Sequence, residues 1–269
     1  MKTLGIDIGG STTKMVIMDN GIILSSHQFS YGGRLNDIDS MIMERLNKSK
    51  YTVNDIEKIV LTGVGSSYID TDVCGINTYK VDEFEALGAG AKMLSDKSDM
   101  LIVSMGTGTA FVRLKRGKAE HIGGSGVGGG TLIGLSKLLV DVDDIMEIID
   151  LAKNGDLSKI DLQMKDICDI EIPNLPMHAT AANFGKIMPN VNKSDSIAGL
   201  LNMIYQTIGM FAVFACNGTD VKDIILTGTM ATLAQGNAVF EELGKIHGVN
   251  FIVPANAVFC CAIGAVLSA

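Results

Sequence analysis

Three apolar segments follow one another before any helical pattern begins. Residues 4–8 form a short apolar run, Gly9 and Gly10 interrupt it, residues 14–18 form a second, and Asn20-Gly21 separates that from a third at 22–30. Asn-Gly between two such runs is a strong hairpin signal. Strand, turn, strand, turn, strand is not the strand–helix–strand opening of a dinucleotide-binding fold. Nor does it fit the GxxxxGK[ST] phosphate loop, because no glycine directly precedes Lys14.

After this opening, Leu35, Ile38, Ile42 and Leu46 recur at helical spacing. Residues 58–61 read as a strand ending in TGVGSS, and 76–81 as another. DEFEALGAGAKML then reads as a helix with Asp82 at its start. From Met100 the pattern begins again: a strand at 100–104, MGTGT, a strand at 111–114, a KRG turn, and a glycine-rich loop entering a helix at Thr131. Helices are expected at 141–151 and 194–216, strands at 224–226 and 251–253, and a last helix at 257–267; residues 173–177 read as irregular. Two similar halves in tandem predict an α/β protein of two lobes, 1–95 and 96–269, with a cleft between them.

The formal net charge of -8 argues against nucleic acid as a partner, since phosphate backbones demand a clustered positive footprint. Five cysteines without a CxxC pair argue against a disulfide framework or a cysteine zinc site, and for a reducing cytoplasm. The longest apolar stretch, LLNMIYQTIGMFAVFAC, carries Asn202, Gln206 and Thr207 and reads as a buried helix, not a membrane span. No histidine spacing suits a metal site. His27 and His247 read as surface residues, while His121 and His178 lie nearest the glycine-rich and polar stretches.

The first turn has the chemistry of an anion site. Gly9 and Gly10 let main chain approach a phosphate, Ser11, Thr12 and Thr13 offer hydroxyls, and Lys14 can reach its oxygens. Asp7, at the strand end, would repel a polyphosphate unless a magnesium ion lay between them. Four further glycine-hydroxyl turns follow apparent strands, at 62–67, 105–109, 123–131 and 227–232. Any one of them is also explained as an ordinary tight turn. Together, at the carboxyl ends of strands, they can converge on one crevice. The 123–131 segment holds six glycines in nine residues, a large entropic cost unless something packs on bare backbone, and its exit into a helix offers free N–H groups to an anion. Among the acids of VDEFEA, Asp82 reads as a helix cap and Glu85 as solvated. Glu83 reads equally as a first-turn glutamate favoured by the helix dipole or as a proton acceptor.

The ordered set LGIDIGGSTTK, LTGVGSSYI, VDEFEALGAG, SMGTGTAF, HIGGSGVGGGTLIGL, ATAANFGK and LTGTMATL resembles the type II pantothenate kinases of the actin/Hsp70/sugar-kinase superfamily. The resemblance spans nearly the whole chain, and GTGT, the GG-x-G-x-GGGT loop and TAANFG are its most specific parts. It implies two RNase H-like lobes around an ATP cleft, phosphorylation of pantothenate by ATP and Mg²⁺ as the first step of coenzyme A synthesis, and a homodimer. It implies phosphate contacts from Asp7, Ile8, Gly9, Gly10, Ser11, Thr12, Thr13 and Lys14, with Asp7 at the magnesium. Thr107, Gly129, Gly130, Thr131, Leu132 and Ile133 would add nucleotide contacts, and Thr229 would approach the adenosine. Glu83 aligns with the catalytic glutamate, and Thr107 and His121 fall on the acceptor side.

Two positions depart from the family pattern. His121 stands where an arginine usually precedes the glycine loop, and His178 replaces an acid in DLTAANFG. An arginine is a fixed, bidentate cation and a histidine is neither. Either the acceptor is held more weakly here or it differs from pantothenate; Arg113 and Arg116 are the nearby arginines that would compensate. Two rivals share parts of the pattern. One is a related superfamily kinase acting on another small alcohol. The other is the activator ATPase of the 2-hydroxyacyl-CoA dehydratases, whose iron–sulfur cluster needs cysteines placed together, a pattern this chain lacks.

Overall fold

The computed structural model describes residues 2–30, 37–170, 172–173 and 175–269. Strands β1 (Lys2–Ile8), β2 (Thr13–Asp19) and β3 (Ile22–Phe29) form an antiparallel meander. Asn20 and Gly21 both take positive φ, 47° and 81°, which matches the right-handed twist of a tight hairpin. Helix α1 (Ile38–Lys48) returns the chain to β4 (Ile56–Thr62), parallel to β1, and β5 (Thr78–Lys80) follows parallel to β4. Ile38, Ile42 and Leu46 are the buried face of α1; Leu35 lies outside the described residues. Helix α2 (Glu83–Ser95) is capped by Asp82, whose Oδ1 accepts from the N–H groups of Phe84 and Glu85.

The second half repeats the plan. Strands β6 (Met100–Met105), β7 (Thr109–Lys115) and β8 (Lys118–Ser125) form another meander. Helices α3 (Gly129–Val140) and α4 (Ile145–Ala152) and a small ladder of β9 (Leu162–Gln163) and β10 (Thr180–Ala182) precede the long helix α5 (Lys193–Cys216). Strand β11 (Asp223–Thr227), helix α6 (Ala234–His247), strand β12 (Asn250–Ile252) and helix α7 (Cys260–Leu267) complete the chain. The sheets run β3-β2-β1-β4-β5 and β8-β7-β6-β11-β12, one topology used twice.

Several local expectations need correction. The first three residues of the expected glycine loop belong to strand β8, an edge strand of sequence KAEHIGGS held by its main-chain ladder to β7, without an apolar alternation to announce it. Helix α3 starts at Gly129, two residues early, and stops at Asp141 in the left-handed conformation, so the helix expected at 141–151 is only α4. Helix α6 was not foreseen. Gly236 and Asn237 break its apolar stripe, yet Phe240 is buried and Gly209 of α5 lies against its ring. His27 is half-buried, not at the surface. It hydrogen-bonds to Ser25 and Ser49, and burial, then Arg45 and Lys48, hold its pKa below the usual range.

Helix α1 covers one face of the first sheet, against Leu4, Ile6, Ile8, Met15 and Ile17. Helix α5 fills the core of the second lobe through Leu200, Ile204, Tyr205, Ile208 and Ala212. Among the described residues it is the one helix long and apolar enough to cross a membrane, and most of it is buried within the fold, as a core helix is. Phe211 and Phe214 point outward.

Between the lobes the helices change partners. Helix α2 packs Leu87 and Ala91 on Ile102, Val112 and Leu114 of the second sheet. Helix α7 packs Ala262 and Ile263 on Val16 and Met18 of the first. The two helices cross with main chain against main chain: a Cβ on Gly264 would come within 1.6 Å of Ala86 O, and one on Gly90 within 2.0 Å of Cys260 O.

Candidate active site

Alternation along β1 sends Leu4, Ile6 and Ile8 into the α1 core and Asp7 to the opposite face. Register places Lys14 beside Asp7 across β1–β2, Thr62 beside it across β1–β4, and Gln28 beside Lys14 across β2–β3. Gln28, Lys14, Asp7 and Thr62 therefore form one polar row across four strands. Lys14 Nζ lies 3.6 Å from Asp7 Oδ2, both side chains nearly buried. Burial pushes the Asp7 carboxyl up, and Lys14 holds it partly back.

Glu83 meets this row from the first residue of α2. It is half-buried, and its pKa is raised, first by burial and then by the Asp7 charge; Lys14 and the Val64 N–H oppose the shift. Glu83 and Asp7 thus sense one another, and the Lys14 charge acts on both. Among the described residues no three His, Cys, Asp or Glu side chains gather as a metal cage. One buried carboxylate beside a glycine-hydroxyl turn fits magnesium, which keeps several waters and is bound through one or two carboxylates and phosphate oxygens.

All five glycine turns converge here. A Cβ on Gly63 would come 2.5 Å from Asp7 Oδ1, so the 62–67 turn lies directly against that carboxylate. Ser11 Oγ and Thr107 Oγ1 are 2.9 Å apart, joining the first turn to the 105–109 turn across the lobes. Gly129 N–H donates to Gly106 O and Gly130 N–H to Thr107 O, both at 2.9 Å. Thr131 Oγ1 donates to Gly126 O at 2.8 Å and accepts from Gly128 N–H at 3.2 Å. Met230 brings the 227–232 turn against Gly129, and Tyr205 OH donates to Met230 O at 2.9 Å.

The structure changes what several of these groups can offer. The first-turn amides of α3 at Gly129 and Gly130 are not free for an anion; they staple the glycine loop to the 105–109 turn. The Thr131 hydroxyl is likewise spent within its loop. Thr13 pairs with Ile8 and so faces the α1 core, where its hydroxyl has no partner among the described residues. Ile8 and Leu132 are fully buried, leaving only their main chain to face the cleft. Gly9, Gly10, Ser11, Thr12, Lys14 and Thr107 lie at the first and third turns, and Ile133 is partly exposed.

His121 is exposed on β8, and its ring stacks on Phe84 with centroids 4.3 Å apart and planes 9° apart, next to Glu83. Neither arginine compensates for it. Strand β7 leaves the cleft at Thr109, Arg113 donates to Ala215 O at the end of α5, and Arg116 occupies the far β7–β8 turn. His178 pairs with Glu242 of α6 at 3.4 Å. Gln28 was missed by sequence reasoning. Its Nε2 donates to Thr229 Oγ1 at 2.9 Å, and the only signal for it was its place at a strand end opposite Lys14.

Solved structures share this fold across the whole chain. The activator of the 2-hydroxyisocaproyl-CoA dehydratase from Clostridium difficile with bound ADPNP superposes with a TM-score of 0.68 at 18% identity, covering 100% of this chain and 94% of that one. The (R)-2-hydroxyglutaryl-CoA dehydratase component A of Acidaminococcus fermentans gives 0.70 at 19%, covering 100% and 97%. A ROK family glucokinase from Streptomyces griseus in complex with glucose and AMPPNP gives 0.64 at 13%, covering 100% and 99%. At such identities these likenesses show the actin/Hsp70/sugar-kinase-like fold and nothing finer. Sequence is more specific. The Fumble family profile matches residues 95–239. The type II pantothenate kinase of Oceanobacillus iheyensis is 30% identical over 277 residues, covering 100% of both chains, and that of Staphylococcus aureus (strain USA300) 27% over 272, covering 97% of both. With two lobes, a shared polar cleft and relatives matched end to end, the chain belongs to the type II pantothenate kinase family and is an ATP-dependent kinase.

Proposed function

We propose that this protein transfers the terminal phosphoryl group of ATP to the primary hydroxyl of pantothenate, giving 4′-phosphopantothenate, the first step of coenzyme A synthesis. The placement of Glu83 beside the Asp7–Lys14 pair carries this reading, because an acceptor hydroxyl and a phosphate need such groups side by side. Glu83 accepts the hydroxyl proton, and its raised pKa makes it a stronger base than an ordinary glutamate. Lys14 and the main chain of residues 8–13 hold phosphate oxygens, with Ser11 and Thr107 on either side of the cleft. Asp7 would hold Mg²⁺, which when bound neutralises charge on the transferring phosphate. Residues 129–133 offer the nucleotide a packing surface, bare of side chains at Gly129 and Gly130, and Thr229 meets its adenosine side.

His121, laid flat on Phe84, faces the acceptor. Lacking the fork of an arginine, it holds the acceptor less tightly, and His121→Arg should lower KM for pantothenate. The lobes 1–95 and 96–269 act as the two bodies of the cleft, the protein works as a homodimer, and five free cysteines suit a reducing cytoplasm. The purified protein, given pantothenate and Mg-ATP, should release ADP and form a product whose mass identifies phosphopantothenate. Turnover only with another small alcohol would replace the acceptor. No ADP release with any acceptor would sink the reading.

A further inference from the structure

Gln28 is the outermost member of the row that contains Lys14 and Asp7, and it is exposed on its own lobe. Among the described residues its carboxamide makes one side-chain hydrogen bond, and that bond lies on the other lobe: Nε2 donates to Thr229 Oγ1 at 2.9 Å. Thr229 opens the 3-10 turn Thr229–Thr232, held from beneath by Tyr205 OH on Met230 O and from the side by Gly129 against Met230. The turn is thus fixed to its own lobe at Met230 and to the opposite lobe at Thr229. The Ser11–Thr107 pair is a second bridge between the lobes, but its hydroxyls belong to the phosphate turns. The Gln28 bridge engages neither the first turn nor the 105–109 turn, but the 227–232 turn on the adenosine side.

We infer that Gln28 is a positioning residue that retains the nucleotide: by reaching across to Thr229 it keeps the lobes together on the adenosine side of the cleft. The inference rests on the kinase reading, but not on the identity of the acceptor. A nucleotide leaves when the lobes part, so the bridge acts on departure more than on arrival. Reach decides the function. Asparagine keeps the carboxamide but is one methylene short of Thr229.

The test is stopped-flow release of a fluorescent ATP analogue from the full-length protein with magnesium and no acceptor. Gln28→Ala should speed release by about threefold to tenfold, the range for losing one hydrogen bond, with the association rate within about twofold. Gln28→Asn should match the alanine variant. In a Thr229→Val background, Gln28→Ala should add little, since the partner is already gone. Unchanged release in Gln28→Ala, wild-type release in Gln28→Asn, or a full Gln28→Ala effect on top of Thr229→Val would each overturn the inference. Absence of nucleotide binding by the unaltered protein would overturn it together with the kinase reading. Turnover of the wrong alcohol would overturn the acceptor alone and leave these release rates as evidence.

Discussion

The two lobes share one topology, so their strand registers can be matched residue by residue. In the first sheet the row facing the cleft is Gln28, Lys14, Asp7 and Thr62. In the second, the same pairings give Gly124, Ala110, Ser104 and Thr227. Both rows end in a buried threonine followed by a glycine at nearly the same φ, +85° at Gly63 and +86° at Gly228, and a 3-10 turn. The main chain of the two halves is alike and the side chains differ. One lobe carries a long amide, a cation and a carboxylate; the other carries small neutral groups. One topology used twice supplies two opposed cradles, with the charges in one and room in the other.

The comparison breaks if chemistry depends equally on both rows. The largest effect is expected at Glu83, which reaches the charged row from α2. Glu83→Gln should lower kcat by roughly 10²–10⁴-fold with ATP affinity, measured by calorimetry, largely kept. Within the rows, Asp7→Asn should cost roughly 10²–10³-fold in kcat, whereas its counterpart Ser104→Ala should stay within about threefold. Equal losses at the two positions would end the division of labour. The pH profile sharpens it further. A base must be ionised, so kcat/KM should fall about tenfold per unit as pH drops through a pKa above the ordinary glutamate value of 4.5. Because Asp7 helps raise that pKa, the acid limb of the residual activity in Asp7→Asn should move to lower pH. The smallest change is structural. Gly264→Ala should lower stability by about 1–3 kcal/mol in urea unfolding, since its methyl would meet the Ala86 carbonyl between the lobes.

Turn chemistry made much of this legible in advance. Asn20-Gly21, the Asp82 cap and the glycine-hydroxyl turns after β4 and β11 are local signals, and the structure bears them out; the 123–131 loop is the exception, since it begins inside β8 and enters α3 early. The tandem arrangement followed from their order. Strand β8 and helix α6 were illegible for a shared reason: an edge strand and a glycine-interrupted helix owe their form to the neighbours they pair with or pack on, not to their own periodicity. The site shows the same divide. That Thr13 turns away from the cleft depends on register, and that the Gly129 and Gly130 amides are consumed depends on a loop some twenty residues earlier. Gln28 is the extreme case, since its partner is 201 residues distant along the chain.

The crossing of α2 over α7 has a mechanical consequence. Where Gly264 meets the Ala86 carbonyl and Gly90 the Cys260 carbonyl there is no room for a side chain, so the two helices, and the sheets they cover, are held at main-chain distance. The crossing also ties the fates of residues 86, 90, 260 and 264: a methyl group gained by one helix has to be met by retreat of the other, so these positions change together or stay as they are.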